Sequence, residues 1–172
     1  MIQIVFHGLG GQGAKSAAQI LADAAFGEGK EIQAFPEFGP ERRGAPVRAF
    51  VRISDRPITT HEPITKPDYT VIIEPTMVTM ERMEGVCIVN SKETAEQVKR
   101  RTGFEGSVHV IDAGALSQFA NLPMLGALVK VSGVVRFESV ERCVREQFEK
   151  KLGVEKTAKM IDAVRTAHGM VG

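Results

Sequence analysis

The stretch VFHGLGGQGAKSAA, residues 5–18, sets Gly8, Gly10 and Gly13 in G-x-G-x-x-G spacing, with Gly11 and Gln12 between them. In a strand-to-helix turn that spacing suits an anion. Gly8 permits the tight turn, Gly10 lets a phosphate approach the backbone, and Gly13 lets helix pack close to strand. The helix end adds free N–H groups and a partial positive charge. A dinucleotide site also asks for an acid ~20 residues further on, to hold the ribose hydroxyl. The nearest candidate is Glu37, which follows Pro36 in a proline-rich stretch, and Gln12 is an unusual residue at a phosphate face. Two readings stand together: a loop that receives an anion or dinucleotide, and a purely structural turn. A second candidate is FPEFGPERRGAPV, residues 35–47, with three prolines and two glycines. It places Arg42 and Arg43 beside Glu41, between stiff turns. Adjacent arginines there suit anion clamping or a charged subunit interface, set against a solvated surface loop.

Groups for catalysis are missing. There is no Ser/His/Asp set, no Cys/His pair and no carboxylate pair spaced for acid–base work. Cys87 and Cys143 lack C-x-x-C spacing and read as buried small hydrophobes. His7, His61, His109 and His168 show no metal-ligand spacing. No catalytic residue and no metal site is therefore expected. The formal net charge of +1 argues against nucleic-acid or membrane-surface binding, and one Tyr with no Trp argues against a base-stacking platform. No apolar window is long enough to cross a membrane, and Met1 leads straight into a strand-like run, so a cytoplasmic protein is expected. A length of 172 residues fits one domain, 1–172.

The elements that must position the glycine loop follow from pattern. Residues 2–6 read as a buried strand, 14–27 as an alanine-rich helix and 31–35 as a second strand, the opening of a parallel α/β sheet. Further strands are expected at 47–54, within 68–75, at 85–90 and within 107–114. A short helix is expected near 77–83, one from Lys92 to about Arg101 capped by Ser91, another over 115–120, and one opened by Asn121 with Pro123 in its first turn. Val140, Val144, Phe148 and Leu152, with Cys143, mark an amphipathic helix lying on the sheet, capped by Ser139 and ended by Gly153. A second, 155–167, is expected to turn Ala158, Met160 and Ile161 inward.

The two candidate segments taken together carry a resemblance. G-x-G-G-Q-G at 8–13, F-G-P-E-R-R-G-A-P-V at 38–47, V-R-I-S-D at 51–55 and N-x-P-M-L-G-A at 121–127 run in order along the chain. The sequence resembles the gamma subunits of the 2-oxoacid:ferredoxin oxidoreductases, and among them the pyruvate type. Ala45 stands where indolepyruvate relatives carry a second glycine. The resemblance implies a Rossmann-like, three-layer α/β domain with a mostly parallel sheet and C-terminal amphipathic helices. It implies a complex that oxidatively decarboxylates pyruvate with coenzyme A to acetyl-CoA, CO2 and reduced ferredoxin. Thiamine diphosphate, Mg2+ and [4Fe-4S] clusters are then held by alpha, beta and delta partner chains. That agrees with two separated cysteines being unable to hold a four-cysteine cluster. This chain is expected to hold no cofactor and to act as a non-catalytic, structural or coenzyme A-side subunit. Gly8, Gly10, Gly11, Gln12, Gly13, Arg42 and Arg43 are its candidate anion or coenzyme A-side residues. The alternatives are a gamma subunit serving 2-oxoisovalerate or another 2-oxoacid, and a stand-alone NAD(P)-binding oxidoreductase.

Overall fold

The fold was analysed in a computed structural model, which describes residues 1–36, 44–79 and 83–171. Arg42, Arg43 and Glu37 lie outside the described residues. Among the described residues six strands form one mixed sheet in the order β2-β3-β1-β4-β5-β6. They are β1 (Ile2–Leu9), β2 (Glu31–Pro36), β3 (Pro46–Ser54), β4 (Tyr69–Ile72), β5 (Val86–Asn90) and β6 (Val108–Ile111). Strands β1, β4, β5 and β6 are parallel. β3 runs antiparallel to both β1 and β2. β2 therefore shares the direction of β1 but is not its neighbour. The expected mostly parallel sheet holds, while the simple β1–α–β2 opening is modified by the insertion of β3. A βαβ pattern read along the chain cannot show which later strand will slip between its two halves.

Strand β1 is buried on both faces, although Gln3 and His7 lie on one of them. Ile4 and Phe6 join the main core, together with Ala49, Val51 and Ile53 of β3 and Val71 and Ile88. Helix α1 (Ala14–Gly27) supplies Ala17, Ala18, Ile20, Leu21, Ala24 and Ala25 to that core, all buried. Its alanines keep the helix close to β1, β2 and β3. Helix α2 (Ala95–Thr102) and the 3₁₀ turn Pro75–Thr79 cover the other face, where Ile72, Met77, Val78, Cys87, Val89 and Val98 form a second cluster. Short helix α3 (Ala113–Leu116) leads to α4 (Asn121–Ser132), α5 (Phe137–Leu152) and α6 (Val154–Met170).

Several local expectations are corrected. The cap of α2 is Thr94, whose side chain accepts from the Gln97 N–H while the Gln97 side chain accepts from the Thr94 N–H. Ser91 serves instead as acceptor for the Glu93 N–H at 3.1 Å. Helix α3 occupies 113–116 rather than 115–120, started by Asp112, whose carboxylate accepts the Ala115 N–H. Helix α5 begins at Phe137, with Ser139 buried inside its first turn, and it packs on α1 and α6 rather than on the sheet. In α6 the inward residue is Thr157, not Ala158, which is exposed. The Thr157 hydroxyl donates to the Gly153 carbonyl at 2.9 Å, and so a polar residue is accepted on the inner face. Helix α6 packs closely on α4. A Cβ on Gly126 would stand 2.2 Å from the Val164 carbonyl oxygen, so no larger residue fits that crossing.

Among the described residues no helix covers the β2–β3–β1 half of the second face. Residues 55–68 cross it as an irregular strap. Buried Arg52 donates through Nε to Gln3 Oε1 at 3.2 Å, through Nη1 to Gln33 Oε1 at 2.6 Å, and through Nη2 to the Glu62 carbonyl. Its guanidinium also lies over the Phe35 ring, 5.5 Å from the centroid. Asp68 closes the strap by accepting the Gln3 N–H at 2.7 Å.

His7 points to this same face and is buried. Burial, and then the nearby charge of Arg48, pull its pKa from the ordinary 6.5 to about 4. The folded chain keeps His7 neutral while the unfolded chain takes up a proton below pH 6.5. Stability carried by neutral His7 is thus complete above about pH 6.5 and is lost as pH falls towards 4. Urea unfolding at pH 7 and pH 5 is expected to differ by about 2 kcal/mol from this residue alone. His7→Gln should remove that part of the pH dependence; an unchanged slope in the variant would place the effect elsewhere.

Candidate functional site

Open α/β sheets bind ligands beyond the carboxyl ends of their strands, where connections depart in opposite directions. Here that place lies between β1 and β4. From the end of β1 the chain crosses to β2 on one side, and β4 neighbours β1 on the other. A cleft of about 420 Å³ opens there, within the ~300–1,000 Å³ of small-molecule sites. One wall is Gly11, Gln12, Gly13 and Ser16 at the start of α1. The floor is Ile73, Glu74 and Pro75 after β4, with Asn90 at the end of β5. The far wall is 118–122 leading into α4, and Phe148, Leu152 and Met160 close it from α5 and α6.

Gln12 is a brace. Its Oε1 accepts the Leu9 N–H at 2.7 Å, and its Nε2 donates to Glu74 Oε2. Glu74 also accepts from the Thr76 N–H and hydroxyl, at 3.3 and 3.0 Å. Burial pushes the Glu74 carboxyl upward, but the hydrogen bonds from Gln12 and Thr76 outweigh it and hold the pKa below the usual value. Asn90 ties the floor together, donating to the Ile73 carbonyl at 2.8 Å and accepting the Ala113 N–H at 3.0 Å. Asn121 ties the far wall to the near one: its Nδ2 donates to the Gly13 carbonyl at 3.2 Å.

Of the residues singled out from sequence, Gly11, Gln12 and Gly13 line the cleft. Gly8 lies beneath the loop, facing Gln12, Ala14 and Ile73. Gly10 turns the other way. Its N–H donates to the Ala45 carbonyl at 2.8 Å, and its carbonyl accepts the Gly44 N–H at 3.4 Å. The proline-rich segment that carries Arg42 and Arg43 is thereby tied, just after them, to the glycine loop. With Gln12 N–H bonded to the Leu9 carbonyl at 3.0 Å, the amides of residues 9, 10 and 12 are all engaged within the protein. Gly13 starts α1 in a left-handed conformation, with no side-chain cap.

Sequence reasoning missed Glu74, Asn90, Gln118, Phe119 and Asn121 as cleft residues. Asn121 belonged to a quoted motif, yet there its only reading was as the start of a helix. Cys87 is buried, and its thiol is pushed up to about 12 chiefly by burial. Among the described residues no group of three His, Cys, Asp or Glu is placed to hold a metal ion. Among them, too, no helix is long and apolar enough to cross a membrane.

Comparison with known proteins is consistent along the chain. A model of the pyruvate ferredoxin/flavodoxin oxidoreductase family matches residues 3–167. The pyruvate synthase subunit PorC of Thermotoga maritima is 43% identical, over 96% of this chain and 90% of its own length. The pyruvate/ketoisovalerate oxidoreductases common subunit gamma of Thermococcus kodakarensis is also 43% identical, over 92% of each. The crystal structure of the Thermotoga maritima pyruvate oxidoreductase subunit PORC matches with a TM-score of 0.84 and 38% identity, covering 99% of this chain and 97% of that one. A Magnetococcus marinus 2-oxoglutarate:ferredoxin oxidoreductase, solved with 2-oxoglutarate, coenzyme A and succinyl-CoA bound, shares the fold at a TM-score of 0.79 and 18% identity. It covers 98% of this chain, which spans 30% of that one.

Proposed function

Because the chain belongs to the pyruvate ferredoxin/flavodoxin oxidoreductase family, we propose that it is the gamma subunit of a pyruvate:ferredoxin oxidoreductase. The complex decarboxylates pyruvate oxidatively with coenzyme A and delivers the electrons to ferredoxin. The observation that carries this reading is end-to-end likeness to PorC and common gamma subunits at 41–44% identity, matched by a full-length structural likeness to a PORC subunit.

In this reading residues 1–172 act as one module of a cytoplasmic alpha-beta-gamma-delta heterotetramer. Thiamine diphosphate, Mg2+ and [4Fe-4S] clusters reside in the partner chains. The gamma chain contributes structure and the coenzyme A side, through Gly8, Gly10, Gly11, Gln12, Gly13, Arg42 and Arg43. The hydrogen bonds between Gly10 and residues 44–45 support treating the glycine loop and the arginine segment as one unit. A stand-alone nicotinamide site is less well supported. With β3 interposed, the carboxyl end of β2 stands two strand spacings from β1, roughly 10 Å away, rather than beside it.

Affinity purification of the tagged chain from its native cell tests the proposal. Thiamine- and iron–sulfur-bearing chains should copurify, and pyruvate oxidation should follow the complex and not the isolated chain. Recovery of the chain without such partners would overturn it. Relatives named as a subunit common to pyruvate and ketoisovalerate oxidoreductases favour a second reading, in which one gamma chain serves both. Two distinct partner sets on one bait, one oxidising 2-oxoisovalerate, would establish that.

A further inference from the structure

Helix α1 gives most of its surface to the core, and the stripe it leaves in water is narrow. Phe26 stands at the carboxyl end of that stripe, 71% exposed. A single exposed apolar side chain needs no explanation by itself. Phe26, however, forms one wall of an open groove of about 590 Å³ between α1 and α5. The groove also takes in Asp23 and Gly27 of α1 and Arg142, Cys143 and Glu146 of α5. A Cβ on Gly27 would collide with Arg142 Nη2, so the glycine is what lets that guanidinium lie across onto α1.

The charges of the groove are incompletely paired. Asp23 accepts from the Gln19 amide at 2.8 Å and has no ion pair among the described residues. Arg142 reaches Glu146 only at 4.0 Å, with both side chains more than half exposed, a pairing that contributes little in water. Burial raises the Cys143 thiol above its usual range; Arg142 opposes that, while Glu146 and Asp23 add to it. An acid from each helix and a cation thus stand around one buried thiol.

One patch therefore carries a projecting ring, an open groove, an acid without a cation and a cation weakly held. Turned about a two-fold axis, such a patch is complementary to itself, because each copy gives the other what it lacks. We propose that α1 and α5 form the face on which a second copy of this chain docks, with Phe26 of each copy entering the other's groove and Asp23 of each pairing with the other's Arg142. A phenyl side chain can bury ~150–250 Å², and Phe26 has most of that still in water. The two rings supply up to roughly 300–500 Å² of the ~1,200 Å² that a stable pairing buries, and the polar flanks of both helices supply the rest. The opposed charges fix the register across the axis. The proposal does not depend on the subunit assignment above, and either stands if the other fails.

Sedimentation equilibrium of the full chain is the test. A dimer should form with rising concentration. Phe26→Ser should weaken self-association by about tenfold or more. Asp23→Arg and Arg142→Asp should each weaken it by about as much, since each sets like charges against each other across the axis. All three side chains are exposed, so the variants should keep the parent's circular dichroism and unfolding midpoint. Asp23→Arg mixed with Arg142→Asp restores both opposed pairs, so the mixture should dimerise as the parent does while neither variant does alone. A chain that stays monomeric at every concentration reached would overturn the proposal. So would a dimer indifferent to Phe26→Ser, or a mixture no tighter than its components. Affinity purification of the Phe26→Ser chain from its native cell covers the other occupant. Loss of a different polypeptide from the variant, with the parent chain monomeric, would give the groove to that polypeptide and remove the second copy from it.

Discussion

Arg52→Ala is expected to lower the stability of the chain by about 3 kcal/mol, with the loss concentrated in the strap at 55–68. Arg52 is 2% exposed, and its guanidinium donates to the neutral oxygens of Gln3, Gln33 and Glu62. Hydrogen bonds to a charged group contribute more than neutral ones, and acceptors left buried without a donor cost ~1–3 kcal/mol each. Solvent relieves part of that, since Gln3 is half-buried and Glu62 is exposed. Arg52 is also what fixes residues 60–62 against a sheet face that no helix covers among the described residues. Gln33 Nε2 reaches the Thr60 carbonyl only at 3.4 Å, too long to hold the strap by itself. Arg52→Lys keeps the charge but not the planar fork that reaches three directions at once, so it should recover only part of the loss. Urea unfolding should show a lower midpoint at unchanged slope. Limited proteolysis should cut within 55–68 faster in Arg52→Ala than in the parent. A midpoint within error of the parent would show that the strap holds without this residue.

That prediction was out of reach from sequence, and the reason is physical. V-R-I-S at 51–54 alternates in the manner of a strand with one wet side, which places Arg52 in water. The alternation is correct: Val51 and Ile53 enter the main core. What pattern cannot show is that a remote irregular segment folds over the polar side and buries the cation. The same limit hid β3 from its place between β1 and β2, because pairing between positions 37 to 51 residues apart, Leu9 with Pro46 through Ile2 with Ile53, leaves no local signature. Features carried by neighbours along the chain were legible. The run of buried residues in β1, the alanine face of α1 and the parallel strands β4, β5 and β6 all follow from periodicity and turn residues. Helix ends were less so. Thr94 with Gln97 satisfies a reciprocal cap that Ser91 could only imitate, and Thr157 hides its hydroxyl on its own helix.

The site was half legible for a related reason. A strand, four glycines and a helix announce a turn whose backbone faces a strand end, and Gly11, Gln12 and Gly13 do line the cleft. The opposite wall comes from residues 118–122 and from the last two helices, more than 100 positions away. Gln12 shows the consequence. As a residue at a phosphate face it is unaccountable, whereas as a brace between the Leu9 N–H and the Glu74 carboxylate its length and its two-ended amide are what the gap requires.

The larger effect at the site itself should come from Gly13. Gly11 and Gly13 both have positive φ, +94° and +83°, a region that costs a residue with a side chain ~1–2 kcal/mol. The two differ in what a methyl group would meet. At Gly11 there is nothing within 4 Å, while at Gly13 the new Cβ would stand 2.5 Å from Asn121 Nδ2. Gly11→Ala should therefore show backbone strain alone. Gly13→Ala should add the displacement of Asn121, which breaks its bond to the Gly13 carbonyl and pushes a buried amide from its seat, for a total of about 3 kcal/mol. The cleft should suffer in the same order, since the displaced amide joins its two walls. Combining Gly13→Ala with Asn121→Ala isolates the contact. The pair should cost less than the sum of the single changes, because the clash has only one partner to act on. Chemical unfolding of the four variants gives the cycle directly. Equal losses for Gly11→Ala and Gly13→Ala, or strict additivity in the pair, would show that Asn121 does not lock the glycine loop to α4.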